Sequence, residues 1–238
     1  MAQHPHPVSS NRGPVAQAPR EPGNPPEVFA AAVGGIGALR PRPGLEFEQL
    51  PAPRRLATYS HALSATVSEQ RADGEVDLGS GRFVLLYEPE GHEEWRGSWR
   101  CVTLVEADVE PELAEDPLLA DVTWSWLCEA LAGVNYTALG GTVSRCASSG
   151  FGELSEQGTS TSVELRASWS PLPPLDEDDP GAGAVQRAAA AAGRARWSTQ
   201  EAWTGLAAHV EAWSRALATA VGLPPELAGV ARLPRIGG

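Results

Sequence analysis

Apolar and polar positions alternate most clearly between residues 82 and 107. In Arg82–Glu88, Phe83, Leu85 and Tyr87 fall on one face of an extended chain, and Val84 and Leu86 fall on the other. Trp99–Ala107 is likewise apolar on both faces. Such strands read as central ones, covered on at least one side. The connecting stretch PEGHEEWRG carries Pro89, Gly91 and Gly97 and predicts a hairpin with a longish loop. Val163, Leu165, Ala167 and Trp169 alternate with Ser162, Glu164, Arg166 and Ser168, the pattern of a half-buried strand with one wet face. Shorter strands are expected at Leu45–Leu50, Leu63–Val67 and Thr142–Ala147, with a polar loop over Gln70–Gly81.

Three stretches repeat at helical spacing instead. Val28, Phe29, Ala32, Val33 and Ile36 follow Pro26, a good first-turn residue, and predict a short helix whose end frays at Gly34, Gly35 and Gly37. These glycines do not complete G-x-G-x-x-G, and no strand precedes them, so a nucleotide loop is not expected. A second helix starts near Asp116–Pro117, with Leu118, Leu119, Val122, Trp126, Ala130 and Leu131 as its stripe and Gly133 at its end. The third opens on a capping box, Ser198-Thr199-Gln200-Glu201. Its stripe runs through Trp203, Leu206, Ala207, Val210, Trp213, Leu217, Ala220 and Val221 before Gly222 and Pro224 stop it. That stripe has to cover something, and the sheet is the expected partner. His209 falls among polar positions of this helix and is expected in solvent.

The elements add up to an α+β fold: an antiparallel sheet of about five or six strands with helices packed on one face, the C-terminal helix among them. The organisation expected is a disordered tail over residues 1–25, an α+β domain over 26–171, and a linker rich in Pro, acid and Ala over 172–197. The docking helix over 198–222 and a tail over 223–238 follow. The first segment lacks the bulky apolar residues that would offset its ordering entropy.

Composition narrows the function. The chain has 238 residues and a net charge of −12, and all 18 basic residues are arginine. Without lysine there is no P-loop lysine and no Schiff-base nucleophile. The charge repels nucleic acid and anionic lipid, so neither is an expected partner. No apolar run reaches about 18 residues and no secretory leader is apparent, so no membrane span and a cytoplasmic location are expected. Cys101, Cys128 and Cys146 lack metal or disulfide spacing and are expected buried and reduced. Asp73, Glu75 and Asp77 hint at a calcium loop whose later ligands are missing. No metal and no cofactor are expected.

Neither G-x-S-x-G nor H-E-x-x-H occurs. The densest cluster of interaction-type residues is Trp95, Arg96, Trp99 and Arg100. Trp and Arg dominate interface hot spots, whereas the plain alternative places both tryptophans in the core. Trp124 and Trp126 point about 200° apart on their helix, which leaves Trp124 as the candidate for an exposed contact. An alternative acid–base pair is His92 with Glu93 in the hairpin loop. RNA binding would need Arg145, Arg166, Arg96 and Arg100 gathered on one face.

RFVLLYEPEGHEEWRG, the helix region that follows, YTALGGTVSR and VELRASWSPL together resemble DUF3000, an actinobacterial family. The match is close over residues 26–171 and looser at the final helix. The resemblance implies an actinobacterial source, a cytosolic location and, through a ribonuclease D-like protein often encoded nearby, company in RNA processing. It assigns no reaction, ligand or catalytic residue. The reading expected is a non-catalytic cytosolic protein-binding or regulatory module. The alternative is an enzyme or small-ligand binder with a cleft near the 88–100 loop. A deep pocket with convergent polar groups marks the second, and a shallow apolar patch holding a Trp marks the first.

Overall fold

The computed structural model describes residues 24–71, 74–174 and 196–224. Its helices are α1 (Glu27–Ala38), α2 (Pro111–Ala114), α3 (Leu119–Leu131) and α4 (Thr199–Ala220). Its strands are β1 (Leu45–Leu50), β2 (Tyr59–Arg71), β3 (Gly74–His92), β4 (Gly97–Asp108), β5 (Tyr136–Ser149) and β6 (Thr159–Pro171). They form one antiparallel sheet in the order β1-β2-β3-β4-β6-β5, which places this chain in the α+β class. Most of residues 1–25, the 175–195 part of the expected linker and residues 225–238 lie outside the described residues.

The register sorts the side chains by parity. Phe47, Ala65, Phe83, Thr103, Leu165 and Val143 share one face with their odd-numbered strand neighbours. The ring contacts of Phe29 in α1 and Trp213 in α4 fall on this face. Trp213 of α4 stacks on Phe47, meets Phe83 at a tilt and donates its indole N–H to the Leu104 carbonyl at 3.3 Å. Phe29 of α1 meets Tyr59, Tyr87 and Trp99. Trp169 donates to His209 Nδ1 of α4 at 3.1 Å. The core is therefore one continuous cluster joining α1, α3, α4 and the sheet.

The capping box opening α4 is present in both directions, Glu201 N–H to Ser198 Oγ at 3.2 Å and Ser198 N–H to Glu201 Oε2 at 2.7 Å. Several expectations need correction. The helix of residues 27–38 does not fray at its glycines but runs unbroken through Gly34, Gly35 and Gly37. A Cβ on Gly35 would collide with the Trp203 carbonyl oxygen of α4, so the glycines let two helices cross closely. His209 is not solvated: it is 1% exposed, and burial pushes its pKa down to about 3. Where a polar loop was expected over Gln70–Gly81, the described residues 70–71 and 74–81 are paired strand at the end of β2 and the start of β3, and Asp73 lies outside the described residues. Among the cysteines only Cys101 is buried; Cys128 is half-buried and Cys146 is exposed. Burial raises the Cys101 thiol well above its ordinary pKa. A thiol so protonated is a poor nucleophile.

Candidate functional site

The even-numbered face of the sheet is built in cross-strand rows. One row runs Ser64–Arg82–Leu104–Arg166–Thr142 from β2 to β5, and the next runs Ala62–Val84–Val102–Ser168–Gly140. Among the described residues no helix reaches the side chains of these rows through a ring contact or hydrogen bond; Trp213 meets only the Leu104 backbone carbonyl. The rows line an open depression of about 370 Å³ with Val84, Val102 and Leu104 as its floor. Val102 stays 37% exposed. At the other end of the face, the 51–58 segment folds over: Ser60 Oγ donates to the Pro53 carbonyl and Thr58 donates to the Glu88 carboxylate. Ala62 and Leu86 are accordingly buried there.

Three arginines mark this face, and each is held differently. Arg100 donates to the Ala138 carbonyl at 2.9 Å, to Ser170 Oγ at 3.2 Å and to Ser168 Oγ at 2.6 Å. It ties β4 to β6 and to the β5 bulge, where Ala138 takes a left-handed conformation with φ 51°. Arg166 pairs with Glu164 at 2.9 Å. Arg82 is exposed, and its guanidinium makes no hydrogen bond or ion pair among the described residues. Arg82 and Arg166 flank Leu104 from neighbouring strands, so their α-carbons stand about 10 Å apart. Two guanidinium groups over an apolar floor can hold an anion. They offer no nucleophile and no general base.

The hairpin residues do not assemble around that depression. Trp99 is core, 3% exposed, and packs on Tyr87 with a ring separation of 4.2 Å. Trp95 lies in the 3-10 turn Glu93–Trp95 and stacks on His92 at 4.7 Å. Arg96 is exposed in a left-handed conformation at the turn's end. His92 and Glu93 are both exposed, and no hydrogen bond joins them. Trp124 is half-buried, packs against the main core and sits over Gly141. Arg145 lies on the odd-numbered face and donates to the carbonyls of Ala114 and Asp116. The four arginines that an RNA surface required are therefore divided among two faces and a loop tip. Among the described residues no three metal-type side chains converge, and no helix is long and apolar enough to cross a membrane.

Sequence periodicity missed a different surface. Helix α3 buries Leu119, Thr123, Leu127, Ala130 and Leu131, so of the expected stripe Leu119, Ala130 and Leu131 face the core, Trp126 is half-buried, and Leu118 and Val122 do not reach it. Leu118 is left 60% exposed and Val122 42% exposed. Leu113 on α2, with Phe151 and Leu154 in the β5–β6 connection, are also exposed. Both regions lie at one end of the sheet, because Val109, just before α2, is hydrogen-bonded to Thr161 near the base of that connection. Five of the nine exposed large hydrophobics among the described residues are thus at this end. The signal available in sequence was that α3 is apolar on more than one side.

A six-stranded antiparallel sheet with four helices among the described residues defines the class of the chain as α+β. The chain belongs to the DUF3000 family: the family described as "Protein of unknown function (DUF3000)" matches residues 25–231. No curated protein and no solved structure matches it.

Proposed function

We propose that this chain is a non-catalytic, cytoplasmic module that binds another protein. The observation that carries the reading is the outward strip of α3. Leu118 and Val122 stand in solvent one helical turn apart while Leu119, Thr123 and Leu127 fill the core. An apolar strip of this kind is the usual mark of a protein contact, and Leu113 on the preceding helix is exposed as well. The open, apolar-floored depression on the sheet supports the same reading. Enzyme sites are more enclosed and gather polar groups.

Affinity co-purification of the tagged protein from its native cells tests the proposal, with a Leu118→Ser/Val122→Ser variant beside the native chain. A stoichiometric partner that the folded variant no longer retains is the expected result. Recovery of the native chain alone, or of a partner indifferent to the variant, overturns it.

A further inference from the structure

We infer that the α2–α3 surface takes a basic, amphipathic helical segment of another protein. The inference rests on the protein-binding reading above and adds the chemistry of the partner. Leu118 and Val122 are spaced i, i+4, and half-buried Trp126 continues the line. Spacing of this kind presents a ridge that a second helix packs against.

Charge selects among occupants. From Glu106 to Glu129 the chain holds eight carboxylates and no Arg or His. Glu110, Glu112, Glu115, Asp121 and Glu129 are all exposed around the strip, and none makes an ion pair. Arg145 reaches this end, but both its hydrogen bonds go to backbone carbonyls and leave those carboxylates unmatched. A second copy would bring the same acidic rim against itself, in a chain already at −12. An anionic membrane is repelled for the same reason. A helix with an apolar face and flanking Arg or Lys satisfies both the strip and its rim.

The probe is a fluorescein-labelled peptide of Leu and Lys in a helical amphipathic pattern, titrated with the full-length protein by anisotropy. A peptide with the same leucines and Glu in place of Lys is the control. The basic peptide is expected to bind, and to weaken about tenfold between low and high salt. Leu118→Ser/Val122→Ser is expected to cost about tenfold or more, as expected for removing central apolar anchors. Glu112→Gln/Glu115→Gln/Asp121→Asn should weaken binding at low salt only. Leu56→Ser, exposed in the 51–58 segment at the opposite end of the sheet, should leave it unchanged. Circular-dichroism melts establish that each variant is folded, which exposed positions permit.

No binding of the basic peptide, equal binding of the acidic one, or indifference to Leu118→Ser/Val122→Ser overturns the inference. So does a native dimer, seen by light scattering, that this variant dissolves. If cells yield a Leu118-dependent partner while the basic peptide fails, the partner chemistry is wrong and the protein-binding reading stands.

Discussion

Gly35 and Gly37 lie two positions apart on α1 and respond to substitution in opposite directions. A methyl group at Gly35 meets the Trp203 backbone carbonyl, whereas one at Gly37 meets nothing within 4 Å. Gly35→Ala is expected to destabilise by about 1–3 kcal/mol through overpacking, and Gly37→Ala to stabilise by about 0.5–1 kcal/mol through helix propensity. Urea unfolding reads both, and equal effects would remove the close crossing of α1 and α4. His209 supplies the pH dependence. Its ordinary pKa is 6.5, and burial holds the folded value at about 3. Between those values the unfolded chain binds a proton that the folded chain refuses. The stabilising contribution is full above pH 6.5 and is lost as pH falls towards 3, by up to about 1.4 kcal/mol per pH unit. His61, also lowered by burial, acts in the same direction. His209→Gln keeps an acceptor for Trp169 and should flatten the slope between pH 7 and 5. An unchanged slope would assign the dependence elsewhere.

Helix α3 shows what an element decides that a residue does not. Its sequence is apolar at both Leu118/Val122 and Leu119/Leu127, and periodicity alone cannot choose which line turns inward. The sheet chooses, because Leu119 packs with Ala107 and Val163 while Leu127 and Leu131 enter the main core. Leu127→Ala is expected to cost about 2–5 kcal/mol, and Leu118→Ala to stay within about 0.5 kcal/mol. Comparable losses at the two positions would mean that the strip is already covered. Elsewhere the element level was easier to read. The Ser198–Glu201 box and the stripe of α4 placed that helix to within two residues at either end, since capping and amphipathicity are local. Its middle residue His209 escaped, because burial depends on Trp169, forty positions away.

At the scale of the molecule, α1, α4 and strands β1, β2, β3, β4 and β6 feed one cluster of buried side chains, α3 joins through Leu127, Ala130 and Leu131, and β5 packs half-buried residues against it. A shared core implies one cooperative unit. Far-UV circular dichroism and tryptophan fluorescence are expected to give coincident denaturant transitions, Trp169 and Trp213 reporting from the sheet–helix interface. Two separated transitions would show α4 unfolding independently of the sheet.

Alternation over residues 82–107 and 162–169 determined that the chain builds a largely antiparallel sheet, and helical spacing determined where α3 and α4 run. The absence of lysine removed chemistry that needs a lysine side chain. These are local or additive properties, legible one segment at a time. Tertiary structure alone decided that Trp99 is core and Arg100 a strut between strands. It alone placed Arg82 and Arg166 astride Leu104, and left Leu118 and Val122 outside. Each of those outcomes depends on which strands become neighbours and on the register between them. A shift of one residue moves every strand side chain to the opposite face, so pairing across the fold settles what reaches solvent.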